Sequence, residues 1–262
     1  MWFLDRTARQ LRLNPALLTY RPTDPARLES LLRQYDPGLT VTGDWFTTWD
    51  TRLRRAEITE EQAALARVPA DRRGAIIACG GERTVSRHLL AGLACRLGGT
   101  LHPPGAWEER VRLEVHMDGH LRLGCERVAG LVRPILGERT VHHGHDLRLC
   151  HIEGRRGDPI LVTYEYPPAC SSGHRLGQGL GQRLGHALGY RSALSPSGGT
   201  VRDSGHVVGL SIETRDPHRS DMEVLYRAAL AVSSATGGGI YSMDFLVTRF
   251  EDVLPVKDHP VR

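Results

Sequence analysis

Lysine is almost missing from this chain: Lys257 is the only one, so 33 of the 34 Lys+Arg residues are arginine. That bias points to GC-rich coding, as in high-GC bacteria, rather than to a function. A basic run is missing as well. The positive charges are dispersed among 30 acidic side chains for a formal net charge of +4, which does not favour a nucleic-acid partner. No apolar run approaches the length of a membrane span. The first ten residues, MWFLDRTARQ, turn charged at Asp5 and Arg6, too early for the apolar core of a signal peptide. The cysteines, at 79, 95, 125, 150 and 170, form no CxxC pair, and their odd number leaves one over in any full disulfide scheme. The expectation is a cytoplasmic protein without a membrane partner, its thiols reduced and mostly buried as small apolar residues. No stretch carries a catalytic signature strong enough to name a reaction, and none implies a cofactor.

What the chain does have is a tetrad repeat. SSGHRLGQGLGQRLGHALGY places glycine at 173, 177, 181, 185 and 189 and leucine at 176, 180, 184 and 188. A period of four lies close to the helical 3.6, so the spacing predicts a helix over 172–188 with Leu176, Leu180 and Leu184 buried. Each interior glycine costs about 1 kcal/mol relative to alanine, so tertiary packing has to hold that helix. Its first turn is a candidate anion site. The amides of Ser171, Ser172 and Gly173 are unpaired donors at the positive end of the helix dipole, with His174 and Arg175 beside them.

Alternation of helix and strand patterns gives the fold class: α+β, in two ferredoxin-like modules that contain βαβ units, with mostly antiparallel sheets packed against helices. Asp24-Pro25 opens a helix through Leu28, Leu31 and Leu32, and Thr59 opens another. LTVTGDWF, TRLRRAEIT and AIIAC read as strands. The segment from Arg83 to Leu97 is a helix ended by Gly98-Gly99. The same pattern returns near the C-terminus, where a helix over 221–236 runs into Gly237-Gly238-Gly239 and then IYSMDFLV. Asp118-Gly119 signals one hairpin, and HDLRLCHIEG with DPILVTYEY reads as a second. Pro103-Pro104-Gly105 is the best linker, dividing an N-terminal module, 1–105, from a C-terminal module, 106–262.

The histidines cluster at 142, 143, 145 and 151. His143 and His145 on one strand would share a face, half of a metal site. Gly137, His143 and His145 stand at a spacing similar to the opening of the cupin metal motif. The cupin glutamate is absent, however, since Leu149 and Cys150 occupy its place. These features give three readings. The first is a non-catalytic binding protein that recognises a protein or small anionic partner. The second is an enzyme, metal-assisted or not, whose site lies near residues 143–175. The third is a structural protein whose glycine–leucine helix packs on a second copy.

Overall fold

Strand β1 (Ala16–Thr19) is buried at all four residues, and the first sheet is built around it. The computed structural model describes residues 5–104, 111–117, 123, 125–137, 141–146, 149–153, 160–165, 207–212 and 218–256. These fall into two compact units. The first holds residues 1–113, 214–226 and 240–262, the second 114–213 and 227–239. Both are mixed α and β, and among the described residues no helix is long and apolar enough to cross a membrane.

In the first unit, α1 (Arg6–Leu13) precedes β1, and α2 (Pro25–Tyr35) follows it. Next come β2 (Thr40–Thr42), β3 (Trp45–Thr47), β4 (Thr51–Glu57), α3 (Glu60–Ala66), β5 (Gly74–Gly81), α4 (Arg83–Leu97) and β6 (Thr100–His102). The strands lie in the order β2-β3-β4-β5-β1-β6 and pair antiparallel throughout. Successive residues of a strand point to opposite faces, and both faces of this sheet are covered. Leu17, Ile76 and Ala78 join Leu28 and Leu32 of α2 and Leu89, Leu90 and Leu93 of α4 in one core. Ala16, Leu18, Ala75 and Ile77 join Ala8 and Leu11 of α1 and Ala63 and Ala66 of α3 in another. That double burial is why AIIA is a continuous apolar run rather than an alternating one.

The helix starts follow from local chemistry. Asp24 caps α2 through the amides of Ala26 and Arg27, with Pro25 in the first turn. Thr59 and Gln62 form a reciprocal capping box on α3. Helix α1, which sequence spacing did not single out, starts at Asp5, whose carboxylate accepts from the Ala8 amide at 2.7 Å. That hydrogen bond, with help from Gln62, holds the Asp5 carboxyl below its ordinary value against the opposing effect of burial. A lowered folded-state value stabilises the fold above the ordinary aspartate range, and this contribution is lost as pH falls through the lowered value. Asp5→Ala should therefore cost about 0.5–2 kcal/mol at neutral pH, and thermal melts should show the gap from wild type narrowing in acid.

The second sheet repeats this strand order. Its chain segment runs through β7 (Val111–His116), whose first three residues fall in the first unit, α5 (Cys125–Leu136), β8 (Val141–Asp146), β9 (Leu149–Glu153), β10 (Ile160–Glu165) and β11 (Val207–Ile212). Helix α6 (Arg219–Thr236) and β12 (Gly239–Ser242) follow in the chain. Strands β8-β9-β10-β11-β7 lie in the order that β2-β3-β4-β5-β1 take in the first sheet. The pairs β8/β9, β9/β10 and β10/β11 are antiparallel. Gly98 after α4 and Gly237 after α6 both have positive φ, 77° and 70°. Each donates its amide at 2.8 Å to a carbonyl four residues back, of Ala94 and Ser233. The next glycine in each copy presses on the strand that opens the unit. A Cβ on Gly99 would stand 2.4 Å from the Leu18 carbonyl oxygen, and one on Gly238 would stand 2.5 Å from that of His116.

Three single strands of the sequence reading are hairpins. LTVTGDWF breaks at Gly43, whose φ is 59°, so that Thr42 faces Trp45. IYSMDFLV breaks at Met243 and Asp244, both at positive φ, into β12 and β13 (Phe245–Leu246). HDLRLCHIEG spans the β8/β9 reversal, with Asp146 opposite Leu149. Turn chemistry overrides the apolar pattern in the first two.

Candidate functional site

Strand β4 carries Arg52 and Arg54 two residues apart, which places both on the face of the sheet that α1 and α3 cover elsewhere. Helices α1 and α3 pack over β1 and β5, and the arginines stand on the outer half of the sheet. Trp45 on β3 pairs with Arg54. The Arg52 guanidinium sits over the Trp45 ring at 4.2 Å from its centroid, and that of Arg6, in the first turn of α1, lies 5.6 Å from the same ring. Arg54 donates to the side chains of Gln10 and Thr7. Cys79 lies on β5, beside β4. The ladder pairs Arg52 with Gly80 and Leu53 with Ala78, so Cys79 is the extra residue of a β-bulge. Burial pushes its thiol up in pKa, and the positive charges of Arg54, Arg6 and Arg52 all pull the other way. All three charges thus favour the thiolate of one half-buried cysteine.

Several other arginines of the first unit are held in ion pairs. Arg33 pairs with Glu29, Arg55 with Asp44, Arg73 with Glu60 and Arg249 with Asp252. No carboxylate among the described residues is within ion-pair distance of Arg6, Arg52 or Arg54. Arg6 also stands at the positive end of the α1 dipole, the disfavoured end for a cation.

A second polar cluster lies at the end of α2. The Tyr35 hydroxyl and the Thr48 hydroxyl donate to the two oxygens of Asp50, and the amides of Gly38 and Trp49 donate to those of Asp36. Trp49 stacks on Tyr35 at an interplanar angle of 12°. Burial, then the charge of Asp50, pushes the Tyr35 phenol far above its ordinary value. It stays protonated and serves as a donor, not a base. With both carboxylates occupied by internal donors, this cluster pins the 48–51 turn.

Of the residues singled out in the sequence, Ser171, Ser172, Gly173, His174 and Arg175 lie outside the described residues, as does the whole tetrad segment with Leu176, Leu180 and Leu184. His143 and His145 are described by backbone alone. Within β8/β9 the ladder sets His143 opposite His151 and shifts register before Asp146. No group of three or more metal-ligating side chains occurs among the described residues. Sequence reasoning missed the arginine face. Its only linear trace is the Arg-x-Arg of β4, and the partner residues come from 46 residues upstream and 27 downstream of Arg52.

Comparison of the chain with protein-family models, with curated proteins and with solved structures finds no match.

Proposed function

We propose that this chain is a non-catalytic binding protein that recognises an anionic partner, a protein or a small molecule, through the face made by Arg6, Arg52 and Arg54. The observation that carries this reading is the pair of guanidiniums, of Arg6 and Arg52, at the Trp45 ring, next to Arg54 in the ladder, with no described carboxylate within ion-pair distance of the three. A guanidinium stacked on an indole keeps its N–H fork free and loses less freedom when it grips an oxyanion. Two elaborated ferredoxin-like modules, over 1–105 and 106–262, are further proposed. The strand order β6-β1-β5-β4, with α2 and α4 on one face, supports that reading for the first unit. The cytoplasm is the proposed location.

Titration with citrate and with polyglutamate, followed by tryptophan fluorescence, tests the binding reading. The Arg52→Ala/Arg54→Ala double variant should lose binding by at least about tenfold. The Arg33→Ala/Arg73→Ala variant, which removes the same charge from elsewhere, should stay within about twofold of wild type. Equal losses in the two variants would show that only net charge matters, and the reading would fail.

A further inference from the structure

We infer that the ligand of the arginine face is a compact dianion, a phosphoryl group, held by Arg6, Arg52 and Arg54 over the β-bulge at Cys79. This rests on the binding reading above and narrows it to one chemistry.

The argument is one of number and convergence. Cations strung along a groove suit a polymer, because each meets a separate charge. Here two guanidiniums share one indole ring, and the third belongs to the residue that pairs with Trp45 in the strand ladder. The charges of all three favour the thiolate of Cys79. A carboxylate brings one negative charge and two oxygens, too little for three guanidiniums that already repel one another. A phosphoryl group brings about −1.5 to −2 at neutral pH and three strong acceptor oxygens, one for each fork. Trp45 holds the Arg52 fork by stacking, and Gln10 and Thr7 hold that of Arg54 through the side-chain bonds already described. Two of the three donors are thereby preset before the ligand arrives. The Trp45 ring is covered by guanidiniums and so is not open for a base to stack on, which favours recognition of the phosphoryl group itself.

Cys79 supplies a readout that lies inside the site. Charge on the three arginines favours its thiolate, and a bound dianion cancels that charge. Inorganic phosphate should therefore slow alkylation of Cys79 by iodoacetamide at least about threefold. The exposed Cys95 should be unaffected and is the control in the same sample. Without phosphate, Arg52→Ala should itself slow alkylation at Cys79 by removing a favourable charge. A variant that merely loosened the structure would speed it. Phosphate should then have no further effect on Arg52→Ala.

A phosphomonoester, phosphoserine as the free amino acid, separates the two sources of the group. Tighter binding of phosphoserine than of inorganic phosphate assigns an ester ligand, and equal binding assigns the free ion; either supports the inference. If citrate and polyglutamate bind in an Arg52-dependent way but neither phosphate nor phosphoserine slows Cys79 at millimolar concentration, the phosphoryl inference is overturned and the broader reading stands. If no anion binds, both fall.

Discussion

Phe245→Ala should lower the unfolding free energy by about 3–5 kcal/mol, the range for an aromatic removed from a core. Phe245 is fully buried and opens the second strand of the β12/β13 hairpin. Its ring lies 5.4 Å from that of Tyr35 at the end of α2, and the guanidinium of Arg96 on α4 covers it at 4.4 Å. Gly92 on α4 leaves the room: a Cβ there would come within 2.5 Å of the ring. Truncation opens a cavity between two helices and also strips a partner from a buried cation. Arg96 donates to the carbonyls of Gly92 and Ser242, while its Nε has no hydrogen-bond partner and burial pulls its pKa down. Phe245→Leu, which keeps most of the volume, should cost less than half as much in urea denaturation. A loss below about 1 kcal/mol for Phe245→Ala would mean that this hairpin is not docked as described.

Gly99→Ala should be nearly as damaging, and its ranking against other glycines tests the repeated layout. Gly99 has φ of 102°, and its added Cβ would meet the Leu18 carbonyl oxygen at 2.4 Å. Strain at a positive φ costs about 1–3 kcal/mol, and forcing a methyl against a backbone atom adds about 1–3 more. Gly238→Ala meets the His116 carbonyl at 2.5 Å and should show the steric part. Gly237→Ala, at φ of 70° with nothing within 4 Å of the new Cβ, should show the strain alone. The expected order of destabilisation is Gly99, then Gly238, then Gly237, read from denaturation midpoints. If Gly238→Ala leaves stability unchanged, the two glycines do not play the same part in the two copies.

Much of the fold was legible because it is governed by near neighbours. Asp24-Pro25 and Thr59 start helices through bonds that span two or three residues, and AIIA is buried because it is apolar throughout. The paired endings, helix then glycines then strand, could be read from the linear pattern, and the structure places them at matching points of two similarly ordered sheets. The mixed α and β class with antiparallel pairing followed from these elements. Turns inside apolar stretches were less legible. LTVTGDWF has a strand's composition, and only the left-handed backbone at Gly43 makes it two strands.

The candidate site was decided by tertiary structure alone. In sequence, Arg6, Trp45, Arg52, Arg54 and Cys79 are scattered among many similar residues, and the arginine excess looks like coding bias. Whether an arginine is neutralised depends on which carboxylate the fold brings beside it. Arg55 finds Asp44 across the β3/β4 pair, whereas Arg54, one residue earlier and on the opposite face of the sheet, finds Gln10 and Thr7. Alternation along a strand can be read from sequence, but the element that covers each face cannot. Side chains from segments far apart in the chain meet only after the sheet has formed, so the unpaired charge that marks this face is a property of the fold.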